Sequence, residues 1–270
     1  MPTSRSPSRG IKPDPPSHSY WPLVLIGLAA VLAVVIAILP ASLVGHFLPA
    51  FIHAEDYSGS LWHGSAGKIS VNARDAGALE WSLHPLSLLG MSVVADLHWV
   101  KMSFVADATV KVDRHGYTAH AVKGGGPIED LRDFGVSPGW RGIADFDFSE
   151  LKGDFATPLP LAAVGDLRVS SLMLAQVAGG ADLGSYDLSV PQGAVDADGN
   201  ATAKLVDTGG PLDLQALIHY SAKDHTGVLT GTLKERAGAP AALISQINNI
   251  AQMRGRDSQG RVPVDLELAL

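Results

Sequence analysis

From about residue 60 onward, apolar and polar side chains alternate with a period of two. Leu79, Trp81 and Leu83 alternate with Glu80, Ser82 and His84. Val93, Ala95, Leu97 and Trp99 hold one phase, which then flips to Met102, Phe104, Ala106, Ala108, Val110 and Val112. A one-residue slip in such a pattern predicts a bulge or short turn near Trp99–Val100. His115-Gly116 closes a hairpin into Tyr117–Val122, and Ala144, Phe146 and Phe148 oppose Asp145, Asp147 and Ser149. Further strands are expected over Leu167–Leu174, Leu183–Val190, Ala201–Asp207, Leu212–Tyr220, Val228–Leu233 and Val262–Leu270. Clean alternation of this kind belongs to antiparallel sheets with one face in water.

Two other periodicities interrupt the strands. Pro240–Met253 places Leu243, Ile247, Ile250 and Ala251 on one helical stripe and is followed by Gly255, so it predicts a helix capping the sheet. A shorter helix is expected over Pro127–Phe134, and Ala41–Phe51 reads as an amphipathic stretch limited by Pro49.

Before the strands, Trp21–Leu39 runs for 19 residues without a charge. As a helix it measures about 28 Å, enough to cross a hydrocarbon core of roughly 30 Å. A cleaved signal peptide is the competing reading, but its apolar region is usually only about 7–15 residues. The exit Ile38-Leu39-Pro40-Ala41-Ser42 also lacks a small-x-small cleavage site. The expected organisation is therefore a disordered Pro/Ser/Arg-rich tail (1–19), a single transmembrane anchor (20–40) and a β domain (41–270) with a soft internal boundary near 153–165. Arg5, Arg9 and Lys12 precede the span and the first charges after it are Glu55 and Asp56. That asymmetry keeps the N-terminus cytoplasmic and puts the bulk across the inner membrane, in the periplasm of a two-membrane bacterium.

Composition narrows the chemistry. The net charge is −7 over 270 residues, and the first 39 residues contribute +2, so the remainder carries −9 and offers no nucleic-acid footprint. There is no cysteine, hence no disulfide frame, thiolate metal site or Cys nucleophile. Gly135-Val-Ser137-Pro-Gly139 matches the G-x-S-x-G pattern but lacks the strand before and helix after that a nucleophile elbow requires. Gly67-Lys68 resembles the end of a phosphate loop, yet Trp62 and Ile69 stand where a glycine and a hydroxyl residue are needed. The ten histidines form no H-x-x-x-H or H-E-x-x-H spacing, and Asp196-Ala-Asp198-Gly-Asn200 lacks the closing glutamate of a calcium loop. The expectation is a non-enzyme with no cofactor, metal or small-molecule substrate.

A Trp-x-Gly element occurs twice, at Trp62-His-Gly64 and Trp140-Arg-Gly142, 78 residues apart. Either this is coincidence in a glycine-rich chain or it marks two related β units in tandem. With Gly209, Gly210 and Pro211 of a tight turn, these positions are the candidate structural or interaction residues.

Taken in order, the single span, Gly59-Ser-Leu-Trp-His-Gly64, Trp81-Ser-Leu-His-Pro-Leu86, Gly199-Asn-Ala-Thr-Ala-Lys-Leu-Val-Asp-Thr-Gly-Gly-Pro-Leu212 and Gly231-Thr-Leu-Lys-Glu-Arg236 resemble the type II secretion system protein N family over residues 20–270. The proline-rich tail departs from the family pattern. The resemblance implies an inner-membrane accessory subunit of the machine that exports folded proteins across the outer membrane. Its implied partners are the bitopic platform subunits and the outer-membrane secretin. The alternative weighed against it is a lipid-handling β-groove protein of the AsmA type, whose apolar rows would line an open trough rather than lie under the capping helix.

Overall fold

A computed structural model describes residues 34–35, 37–46, 48–154, 162–175, 180–196, 200–221 and 226–269. The tail and most of the expected anchor lie outside them. Among the described residues no helix is long and apolar enough to cross a membrane. Pro40–Leu270 forms one compact unit.

The described strands make a single antiparallel meander in which every strand pairs with its neighbours in sequence. They are β1 (Ile52–Gly59), β2 (His63–Val71), β3 (Arg74–Leu83), β4 (Val93–Lys101), β5 (Phe104–Asp113), β6 (Gly116–Pro127) and β7 (Trp140–Gly153). The second half comprises β8 (Ala162–Leu174), β9 (Ala181–Val190), β10 (Ala201–Gly209), β11 (Leu212–Ser221), β12 (Thr226–Glu235) and β13 (Val262–Ala269). β7 and β8 pair directly at the expected internal boundary, of which residues 155–161 lie outside the described set.

The register explains the alternation. One row of facing residues crosses the whole sheet: Ser58, Ser65, Glu80, His98, Asp107, Lys123, Asp147, Asp166, Ser189, Lys204, Leu217, Thr230 and Asp265. All but Leu217 are polar. The adjacent row, one residue away on each strand, reads Tyr57, Ala66, Leu79, Trp99, Ala106, Gly124, Phe146, Leu167, Leu188, Leu205, Ala216, Gly231 and Val264. It contains no charge. Period-two patterning on thirteen strands thus makes one wet face and one apolar face.

Three short helical segments sit on the apolar face. Ala41–His46 is a 3-10 turn that buries Ala41 against Ala66 and Trp81. Ile128–Phe134 is also 3-10, and packs Ile128 and Leu131 with Phe104, Ala144 and Phe146. The helix α1 (Ala241–Arg254) sets Leu243 and Ile247 on Leu212 and Val262. Each covers one stretch of the face, and the hydrophobic core is accordingly three separate clusters.

Local readings change in three places. The phase slip is a two-residue turn, Met102–Ser103, between β4 and β5, with Met102 at φ 55° and 75% exposed rather than in the inward phase. Its left-handed backbone suits a tight hairpin whose strands keep their twist. Ile250 is 41% exposed, so only Leu243, Ile247 and Ala251 of the expected stripe pack inward. Of the expected Ala41–Phe51 stretch, Ala41–His46 forms a 3-10 helix, and residue 47 lies outside the described residues.

Candidate functional site

The candidate residues fall at three places. Trp62 precedes β2, and Gly64 lies opposite both Gly59 and Trp81. A Cβ at Gly64 would stand 2.7 Å from the Trp81 ring and 3.0 Å from the Ala41 Cβ, so glycine is required for the ring to lie across the strand. Trp81 donates its Nε1–H to the Leu61 carbonyl at 3.0 Å and meets Tyr57 edge-on at 6.5 Å. Trp140 opens β7 and packs in the Phe104–Ile128–Ala144 cluster, while Gly142 sits at a register shift between Arg141 and Ile143. The two Trp-x-Gly elements therefore belong to different clusters, and the structure does not bring them together.

Gly209, Gly210 and Pro211 link β10 to β11, and this turn is held from the far side of β11. Arg236, just past β12, donates through Nη1 to the Gly210 carbonyl at 3.2 Å and through Nη2 to the Asp207 carboxylate at 3.0 Å; its backbone N–H reaches the Pro211 carbonyl at 2.8 Å. Asp207 also accepts the Leu214 N–H at 3.1 Å, and its side chain is only 5% exposed. Gly210, at φ 129°, lies so close to Gly184 that a Cβ would come within 2.3 Å of the Gly184 Cα. Burial, reinforced by the charges of Asp207 and Asp182, pushes the neighbouring Tyr186 hydroxyl up to about 12. Two stretches of the motif are thus one clamp: the turn of Gly199–Leu212 and the terminal arginine of Gly231–Arg236.

A second buried charge ties the middle of the sheet to its cover. Lys101, whose side chain is 1% exposed, donates to Asp133 Oδ2 at 2.6 Å and to the Asp75 carbonyl, and its ammonium sits 5.3 Å above the Phe134 ring. Arg74 donates to the Asp133 carbonyl at 3.2 Å, and the Ser103 N–H to Asp130 at 2.9 Å. These contacts hold the 3-10 segment Ile128–Phe134 over the apolar face.

Among the described residues that face is open between the covers. A cavity of about 730 Å³ is lined by Ile69, Leu79, Trp99, Phe104, Phe134, Phe146, Val169 and other apolar side chains. A second, of about 540 Å³, lies beyond it under Val136, Trp140, Leu172 and Leu205, and shares Ile128 and Val169 with the first. β2 and β8 stand six strand spacings apart, roughly 29 Å on a flat sheet. Both line the larger cavity, so the sheet is curled.

On the wet face two histidines pair with carboxylates of a neighbouring strand. His98 Nδ1 lies 2.7 Å from Asp107, and His84 Nε2 2.7 Å from Asp96, which also accepts Thr109 Oγ1. The Thr109 hydroxyl, followed by His84, holds the Asp96 carboxyl below its usual range. A depression of about 490 Å³ over His63, Gly64, Glu80 and His98 joins this ladder to the first Trp-x-Gly. Among the described residues no three His, Asp or Glu side chains converge as a metal set. Lys68 stands on β2, 4.0 Å from Glu55, in no phosphate loop.

The family comparison supplies the context that the geometry lacks: residues 51–265 match type II secretion system protein N. The chain belongs to that protein family. No curated protein and no solved structure matches it. The match begins one residue before β1 and ends within β13, so the family pattern is the meander itself. In this chain, Arg236, Asp207 and Lys101 are the positions that motif reading leaves without a role. One signal did mark two of them: Lys101 shares the inward phase of Leu97 and Trp99, and Asp207 that of Leu205.

Proposed function

We propose that this chain is an inner-membrane accessory subunit of the type II secretion machinery. It supports export of folded proteins across the outer membrane by contacts with other subunits rather than by chemistry of its own. The observation that carries the reading is the family match over residues 51–265. In this reading Trp21–Leu39 is a single-pass anchor, the N-terminus is cytoplasmic, and the meander lies in the periplasm. Its partners are the bitopic platform subunits and the secretin, and it uses no cofactor, metal, nucleic acid or small-molecule substrate. The acidic balance of −9 after residue 39 and the polar row across the sheet support a role as a soluble docking face.

Both sheet edges carry features that discourage indiscriminate pairing. Pro40 bridges to Ser60 beside β1, and Asp56 breaks that strand at φ 57°. On β13, Pro263 lacks an N–H and Arg254 occupies the Asp265 carbonyl at 3.1 Å. Guarded edges of this type favour docking through side-chain faces over open strand addition.

The test is in-cell cross-linking of the full-length chain, followed by gentle detergent purification and identification of captured proteins. Enrichment of secretion-platform subunits, with reduced export of a secreted reporter when the gene is deleted, is the expected result. Unchanged export together with no secretion subunit in the eluate would overturn the proposal.

A further inference from the structure

We infer that the open part of the apolar face is a binding site for the acyl chain of a membrane lipid, a property beyond the secretion role. The two cavities, of about 730 and 540 Å³, run on from one another past Ile128 and Val169, and each falls in the size range of small-molecule sites. Contiguous open apolar surface of this extent marks a place where something apolar lies.

The wall chemistry selects the occupant. The strand backbones that make the floor pair with one another along the meander, interrupted by register shifts such as the one at Gly142. The indole N–H of Trp99, which lines the larger cavity, is already given to the Ala76 carbonyl at 2.6 Å. Lys101, whose ammonium lies over the Phe134 ring, is turned into Asp133 and Asp75. An extended polypeptide in this trough would leave buried peptide groups without partners, at a cost of roughly 1–3 kcal/mol each. An aliphatic chain has no such groups. Position along the chain agrees: the apolar run ends at Leu39, and Ala41, two residues on, is already buried on this same face at 2% exposure.

The experiment uses full-length protein in cells, with the photo-reactive amino acid p-benzoylphenylalanine replacing Phe134 or Phe146 in the trough, or Lys123 on the wet face as control. After irradiation and purification, adducts are identified by intact mass. The expected result is a lipid-mass adduct at Phe134 and Phe146 with at least tenfold higher yield than at Lys123. Filling the floor with Ala106→Leu, or with Ala106→Phe where that variant keeps the wild-type melting temperature, abolishes the adduct at Phe134. Protein-mass adducts at the trough positions, equal lipid yield at Lys123, or no lipid adduct would each overturn the inference. The secretion-subunit capture described above is read separately, so either result stands without the other.

Discussion

At the scale of single residues, the buried charges matter most, because each is held by partners distant in sequence. Asp207, with its side chain 5% exposed, is faced by Arg236 and by the Leu214 N–H. Arg236→Ala leaves that carboxylate unpaired and frees the Gly210 carbonyl. It should cost about 1–3 kcal/mol, since the arginine itself is 41% exposed and screened. Chemical unfolding of the full-length protein in detergent checks this, and Arg236→Lys should recover only part of the loss because it cannot bridge two acceptors in a plane. Gly210→Ala meets both a left-handed φ and the Gly184 backbone, so it should be at least as harmful.

Tyr186 makes a pH prediction. Its folded-state pKa of about 12 lies above the ordinary value of 10, so the folded protein holds the phenolic proton more tightly than the unfolded chain. That contribution to stability is complete below pH 10 and is lost as pH rises toward 12. Stability measured between pH 9.5 and 12 should fall more steeply in the wild type than in Tyr186→Phe.

At the scale of elements, the cover Ile128–Phe134 depends on Lys101 more than on its own helical tendency. A seven-residue 3-10 segment makes few bonds of its own, and its Pro127 cap offers no side-chain hydrogen bond. Lys101→Met keeps the volume of the side chain but removes the bonds to Asp133 and the Asp75 carbonyl. Backbone amides of residues 129–134 should then exchange with deuterium about tenfold faster or more, while β10–β12 are unchanged; uniform exchange behaviour would show that apolar packing alone holds the cover. α1 behaves differently, since Leu243 and Ile247 carry it. Ile247→Ala should cost about 2–4 kcal/mol through the cavity it leaves on Val262.

At the scale of the whole molecule, a meander of sequential pairs has mostly local strand contacts, so it needs no long crossover to form. The capping helix was expected to separate a closed scaffold from an open trough. It lies on Leu212 and Val262, at the β13 end, and does not cover the stretch around Phe146. The proposed topology also yields a clean test, because the native chain has no cysteine. A single cysteine replacing Ser189 on the wet face should react with a membrane-impermeant maleimide once the outer membrane is permeabilised. Protection until the inner membrane is lysed would place the meander in the cytoplasm.

Alternation alone was enough to locate most strands from β3 onward, because a period of two is a property of each strand and needs no knowledge of its neighbours. β1 was not legible: Ile52–Gly59 is interrupted by the left-handed Asp56, which breaks the phase. Trp62, Gly64, Trp140 and Gly142 stood out as repeated letters, yet their roles differ, because what they do depends on which cluster each strand delivers them to. Lys101 meets Asp133 across 32 residues and Arg236 meets Asp207 across 29. Such encounters follow from register and curl, and no local pattern encodes them. The chain's own pattern determined a two-faced antiparallel sheet and its capping helix. Only the tertiary structure decided how much of the apolar face stays open, because that depends on where three short covers land on a curled sheet.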